Sequence, residues 1–251
     1  MSPPSSLPKE STHEEVTARP GPVQVARAGS FDRPGLALLV ALTLGVAVLL
    51  LSLLAIHPEG SGLQRVDNAA ERYVVTHRSA ALTWVADEAL NEVVGARGLL
   101  LIRVLATLWL GFRRRWWALA AFVLIYAVSD ASTELMKHAL SRPRPTDSLV
   151  HVTGLSFPSG QTVAITATTI ALVLLLVPPG AVRRILLGLA LALSLAVAWS
   201  RVYLGAHWLS DTVAGVLLGA CLAVGIVAGI QAVAHVRPGT NARAPVQRRR
   251  R

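Results

Sequence analysis

Six apolar runs organise this chain: 35–56, 97–112, 116–136, 162–177, 185–199 and 212–235, with polar segments between them. A helix needs ~20 mostly apolar residues to cross a bilayer. The pattern therefore predicts an all-α fold, an integral membrane bundle of six transmembrane helices. The first run, 35–56, reads as an uncleaved anchor, because the 34 residues before it are too long and too polar for a signal-peptide leader. Between the first and second runs, residues 80–94 place apolar side chains at helical spacing with Asp87, Glu88 and Glu92 on the other face. That predicts an interfacial helix after the first span. Run 97–112 is short for a span and carries Arg103. A mid-membrane Arg costs about 2.5–3.5 kcal/mol on insertion scales, so Arg103 is expected to snorkel or to face the bundle interior. Residues 1–34, rich in Pro, Ser, Glu and Arg, read as a disordered cytoplasmic leader. Residues 35–236 form the membrane domain and 237–251 a basic cytoplasmic tail.

Composition supports the membrane reading. Of the 251 residues, 53% are hydrophobic and 15% charged, against about 25% charged in soluble domains. The formal charge of +10 raises the question of nucleic acid. The cations sit in clusters beside apolar runs, and the terminal QRRRR suits an anionic lipid surface, so nucleic acid is not expected as a partner. The single Cys221 lies within an apolar run; it excludes an intramolecular disulfide and a metal site built from Cys.

Charge also predicts orientation. Arg113, Arg114 and Arg115 separate runs two and three, Arg183 and Arg184 separate runs four and five, and Arg237, Arg243 and Arg248 to Arg251 follow run six. The segment after run one is acidic instead. Both termini and the short basic loops are therefore expected in the cytoplasm of a multi-pass protein of a bacterial plasma membrane. Trp84, Trp199 and Trp208 then fall near the outer interface, and Trp109, Trp116 and Trp117 near the inner one.

On this topology three polar segments gather on the outer side: KHALSRPRP (137–145), PSGQ (158–161) and SRVYLGAHWLSD (200–211). His207 and Asp211 are four residues apart and share a helical face. A carboxylate there can accept a hydrogen bond from one ring nitrogen and leave the other free to attack. Such a pair alone is more often structural. Lys137, Arg144 and Arg201 add three cations, and Ser159-Gly160 supplies a turn whose amides can face an anion at a helix N-terminus. Fixed cations around one oriented imidazole suit phosphoryl transfer.

In order and spacing these segments resemble the signature of the type-2 phosphatidate phosphatase and lipid phosphate phosphatase superfamily. That group includes bacterial undecaprenyl-pyrophosphate phosphatases and vanadium haloperoxidases. Its first motif, Lys, six residues, Arg-Pro, is matched at Lys137 and Arg144-Pro145. Its second, Pro-Ser-Gly-His, is matched at Pro158, Ser159 and Gly160 but departs at Gln161. Its third, Ser-Arg, five residues, His, three residues, Asp, is matched at Ser200, Arg201, His207 and Asp211.

The resemblance implies that His207 is the nucleophile of a phosphohistidine enzyme, oriented by Asp211. It implies that Lys137, Arg144, Arg201, Ser159 and Gly160 hold the phosphoryl oxygens of a lipid phosphate or pyrophosphate, with no metal or other cofactor. It also implies that position 161 carries the acid that protonates the leaving group, which Gln161 cannot do. General acid catalysis contributes about 10²–10⁴-fold. An alkoxide needs the proton more than a phosphate leaving group does, so a lipid pyrophosphate is the expected preferred substrate. His138 and His151, on the same outer loop, are candidates to substitute as the acid, though nothing in the sequence places them near position 161, and the alternative is a member that binds or transports an anionic lipid without turnover. Asp130 is an intramembrane acid and thus a candidate in its own right, while Glu134, three residues from Lys137, is expected to orient it. Ala214, Gly215, Gly219 and Ala220 predict close packing of the last helix, within one chain or between two; the oligomeric state stays open.

Overall fold

A computed structural model describes Phe31, residues 33–57 and residues 61–236. Most of the expected leader and the basic tail 237–251 lie outside the described residues. Among the described residues the helices are α1 (Pro34–Ile56), α2 (Leu63–Thr76), α3 (Ala80–Trp84), α4 (Leu99–Phe112), α5 (Trp116–Leu140), α6 (Gly160–Leu176), α7 (Ala181–Tyr203) and α8 (Leu209–Val236). A π-helical stretch, Val85–Gly98, joins α3 to α4.

Among the described residues five helical segments are long and apolar enough to cross a membrane: α1, the rod Ala80–Phe112, α5, α7 and Leu209–Val233 of α8. The expected sixth, α6, has 17 residues, about 25 Å at 1.5 Å per residue, short of a ~30 Å hydrocarbon core. It lies between α5, α7 and α8, and its Val163, Ile165, Ala167, Ala171 and Leu174 are buried. A helix enclosed by others has no lipid to match. The outer helices carry the opposite pattern, with Leu39, Leu42, Leu50, Leu53, Leu101 and Leu189 exposed, as hydrocarbon requires.

The interfacial helix expected over 80–94 is not a separate element. This segment continues through the π-helical stretch into α4, so the short second run becomes the end of a 33-residue rod. Its polar face had read as solvent-facing. Instead Asn91 is buried and takes Arg201 Nη1, while Ala86 packs on Tyr203 and Leu204. The amphipathic helix after the first span is α2, and its Asp67 is buried. The α2–α3 turn is tied to α7 by the Ser79 amide, which donates to Tyr203 Oη at 2.9 Å.

Arg103 faces the bundle rather than snorkelling. It holds Asp130 of α5 with both guanidinium ends, at 2.9 and 3.2 Å, and Thr168 of α6 at 3.1 Å. Asp130 is thereby a partner across α4, α5 and α6.

The small residues of α8 pack within the chain. A methyl group on Gly219 would fall 2.6 Å from the Val163 carbonyl oxygen and 2.8 Å from Thr166 Cβ, and one on Gly215 3.0 Å from the Ser159 carbonyl oxygen. Helix α8 therefore lies backbone to backbone on α6. Gly219→Val is expected to force the two apart and to cost at least about 1–3 kcal/mol, the usual scale of overpacking. A lowered melting temperature in detergent would register it.

Candidate active site

The C-terminal ends of α5 and α7 and the N-terminal ends of α6 and α8 meet at one end of the bundle, where α2 and the loop 141–159 join them. Helix α7 stops at Tyr203 and the chain turns at Gly205, whose φ is +70° and whose missing side chain would strike the Asp147 carbonyl. Only glycine fits there. The amides of Ala206 and His207 then donate to the Arg201 carbonyl, at 3.0 and 3.3 Å. This tight return places His207, 5% exposed, beneath the end of α7.

The surroundings of His207 assign its tautomer. Nδ1 lies 2.9 Å from the Ser156 carbonyl and 3.6 Å from Asp211 Oδ2, both acceptors. Nε2 lies 3.0 Å from Arg144 Nη1, which can only donate. The proton therefore sits on Nδ1, and the Nε2 lone pair faces Arg144. The expectation that Asp211 holds the ring by a direct hydrogen bond needs correcting: the Ser156 carbonyl takes that bond, because the Asp211 oxygens are engaged elsewhere. They accept from Arg142 Nη1 at 2.7 Å, from the Trp208 amide three residues back at 2.9 Å, and from Ser156 Oγ. Asp211 supplies charge behind the ring.

Burial pushes the His207 pKa down to about 4; Asp211 opposes the shift, and Arg144 and Arg201 add to it. The ring is then neutral at every pH above about 4, with Nε2 unprotonated. We expect its ring carbons, followed by NMR, to titrate near pH 4. A midpoint at the ordinary ~6.5 would refute this arrangement.

The expected cations sit in different settings. Arg144 is fixed by the carbonyls of Ala206, Gly154 and Thr153, at 2.6, 3.0 and 3.2 Å, and burial lowers its pKa from the usual value. Arg201 is 6% exposed and donates Nη1 to Asn91 Oδ1, while its buried Nε has no partner in the structure. An orphaned guanidinium N–H is costly to bury, and an anion would satisfy it. Lys137 Nζ donates to Glu134 Oε1 at 2.7 Å. It also stands 3.8 Å from where a methyl on Gly160 would lie, over the first turn of α6. Ser159 is buried at the N-cap of α6; its amide donates to the Asp211 carbonyl at 3.0 Å and its Oγ accepts from Thr162 at 3.0 Å. Gly160 opens α6, beneath Lys137.

Gln161 turns toward the π-helical stretch. Its Nε2 donates to the Asn91 carbonyl at 2.8 Å and presses on Gly95, where a Cβ would overlap it. A cavity of about 490 Å³ opens here, lined by Asp87, Asn91, Glu92, His151, Gln161 and Arg201, among others. Of the two histidines expected as substitute acids, His151 reaches this cavity, whereas His138 is exposed on α5 and does not line it.

Four residues near this site were not anticipated: Ser156, Arg142, Asp67 and Asn91. Arg142 carried a signal, since it lies inside the same basic segment as Arg144. Asn91 and Asp67 lie far upstream and reach the site only through folding.

A family model described as the PAP2 superfamily matches residues 116–234, the stretch from α5 to α8. No curated protein matches the chain. Among solved structures, a transmembrane PAP2-type phosphatidylglycerolphosphate phosphatase from Bacillus subtilis superposes with a TM-score of 0.68 at 25% identity. The match covers 77% of this chain and 96% of that one. With the family model on α5–α8 and the fold shared beyond them, this chain is similar to the membrane phosphatases of the PAP2 superfamily.

Proposed function

We propose that this protein hydrolyses lipid phosphates, and lipid pyrophosphates preferentially, through a phosphohistidine formed on His207 Nε2 at the extracytoplasmic face. The observation that carries the reading is the buried neutral imidazole with its lone pair toward Arg144. In the first step Nε2 forms a bond to phosphorus and the bond to the leaving oxygen breaks. The ring becomes cationic while Nδ1–H stays on the Ser156 carbonyl, and the Asp211 carboxylate at 3.6 Å balances the charge. Lys137, Arg144, Arg201 and the turn at Ser159-Gly160 bind the phosphoryl oxygens, the kind of preorganised charge that lowers such barriers. Water then attacks phosphorus, releases inorganic phosphate and frees Nε2. These cations supply the positive charge, so the reaction is expected to run without added metal.

Gln161 sets the preference. It has no proton to give as an acid, so a leaving group that is stable as an anion reacts faster. The Bacillus subtilis neighbour is named for phosphatidylglycerolphosphate, which makes that lipid the natural comparison substrate. The test is phosphate release by purified protein in detergent with EDTA, from a polyprenyl pyrophosphate and from phosphatidylglycerolphosphate. Faster release from the pyrophosphate supports the reading; equal initial rates with chemistry limiting overturn the preference. The second reading, an anionic-lipid binder without turnover, is favoured by Gln161 alone. Binding of both lipids with release of phosphate from neither would establish it.

A further inference from the structure

Behind Asp211 lies a buried chain of charges that the proposed chemistry does not use. Arg142, 3% exposed, donates Nη1 to Asp211 Oδ1 at 2.7 Å and to Ser210 Oγ at 2.7 Å. Its Nη2 donates to Asp67 Oδ2 at 2.6 Å and to Gln64 Oε1 at 3.1 Å, and its guanidinium carbon lies 5.6 Å from the centre of a Trp208 ring. Asp67, 1% exposed, also accepts from the Ser210 amide at 2.9 Å and from Ser210 Oγ at 2.6 Å. One guanidinium thus bridges two carboxylates that water does not reach. Asp67 belongs to α2, outside the residues the family model matches.

We propose that Asp67 and Arg142 are positioning residues for the hydrolytic site, α2 holding Arg142 so that Arg142 holds and partly neutralises Asp211 behind His207. This rests on the phosphatase reading of that site. Burial alone does not account for the arrangement. Two carboxylates around one Arg carry an excess negative charge, which is costly out of water unless it has work to do. The excess falls on the Asp211 side, where Ser156, the Trp208 amide and the ring of His207 share it. The charges beside His207 are Asp211, Arg144 and Arg201; Asp67 is joined to Asp211 through Arg142. Removing Asp67 leaves Arg142 to draw on Asp211 alone, so Asp211 offers less to the ring. Removing Arg142 frees the Asp211 charge for the ring.

The experiment compares Asp67→Asn, Arg142→Gln, Arg142→Lys and the double variant Asp67→Asn/Arg142→Gln in purified, detergent-solubilised protein. Two readouts are taken: the His207 titration midpoint by NMR, and kcat and KM for a lipid pyrophosphate. Asp67→Asn is expected to lower the midpoint and Arg142→Gln to raise it. Each is expected to lower kcat by about 10- to 100-fold, the scale seen when a partner supporting a metal-binding histidine is removed, with KM nearly unchanged. Arg142→Lys keeps the charge and should hold the midpoint near that of the parent. The double variant removes one carboxylate together with the guanidinium and leaves Asp211 to Ser156, the Trp208 amide and His207, so it serves if a single variant does not fold; its kcat should still fall. A merely structural role predicts otherwise: a loosened site admits water, and both single variants move the midpoint upward. That result, or parental kcat in the double variant, overturns the proposal. If the parent releases no phosphate from any lipid, the phosphatase reading fails by itself, and the two opposite midpoint shifts still decide the positioning claim.

Discussion

His207→Ala is expected to reduce phosphate release by a factor on the order of 10⁶, the scale set by removing a covalent nucleophile. Among the described residues no other side chain at the site offers an unprotonated nitrogen toward Arg144. The serines nearby are committed, Ser156 Oγ to Asp211 and Ser159 Oγ to Thr162. Lys137 is paired with Glu134. Lys137, Arg144 and Arg201 remain in the variant, so lipid binding should weaken by no more than a few-fold. Initial rates and a binding isotherm on the same preparation check both halves. Loss of binding and turnover together would mean that His207 holds the loop rather than attacks phosphorus.

Gln161→His is expected to raise turnover of a phosphomonoester lipid by about 10²–10⁴-fold, the usual worth of a general acid. Turnover of a pyrophosphate should change much less, because its leaving group departs without a proton. The fold leaves room for the ring: Gln161 rests on Gly95, where no Cβ intrudes. The ring loses the bond that Gln161 makes to the Asn91 carbonyl, which is the structural cost of the change. The ratio of the two initial rates, measured in parent and variant, decides the matter. An equal rise on both substrates would show that position 161 acts on binding rather than on the leaving group.

The parts of this fold that could be read in advance were those with one-dimensional signals. Apolar runs marked α1, α5, α7 and α8, and fixed spacings marked Lys137, Arg144, Arg201, His207 and Asp211. What escaped needed two distant segments at once. The polar face of 80–94 looked solvent-facing because Arg201, the partner of its Asn91, lies about a hundred residues downstream; the segment is the start of a long apolar rod. Asp67 sits on an amphipathic helix where most acids meet water, and nothing in its neighbourhood announces Arg142 or Ser210. The bond from His207 Nδ1 runs to a backbone carbonyl, which has no signature in side-chain spacing. Arg103 and Asp130 were each conspicuous as membrane charges, but their pairing depends on how α4 and α5 face one another. Gly215 and Gly219 announced a close helix contact without saying whether α6 or a second chain provides it.

The central claim is that phosphorus passes through His207. The stereochemical course of hydrolysis tests it most directly, using a lipid pyrophosphate whose terminal phosphorus is made chiral with sulfur and oxygen isotopes. Two in-line displacements, on to Nε2 and off to water, predict net retention of configuration. Inversion would mean that water attacks the lipid phosphate directly, and would contradict the account.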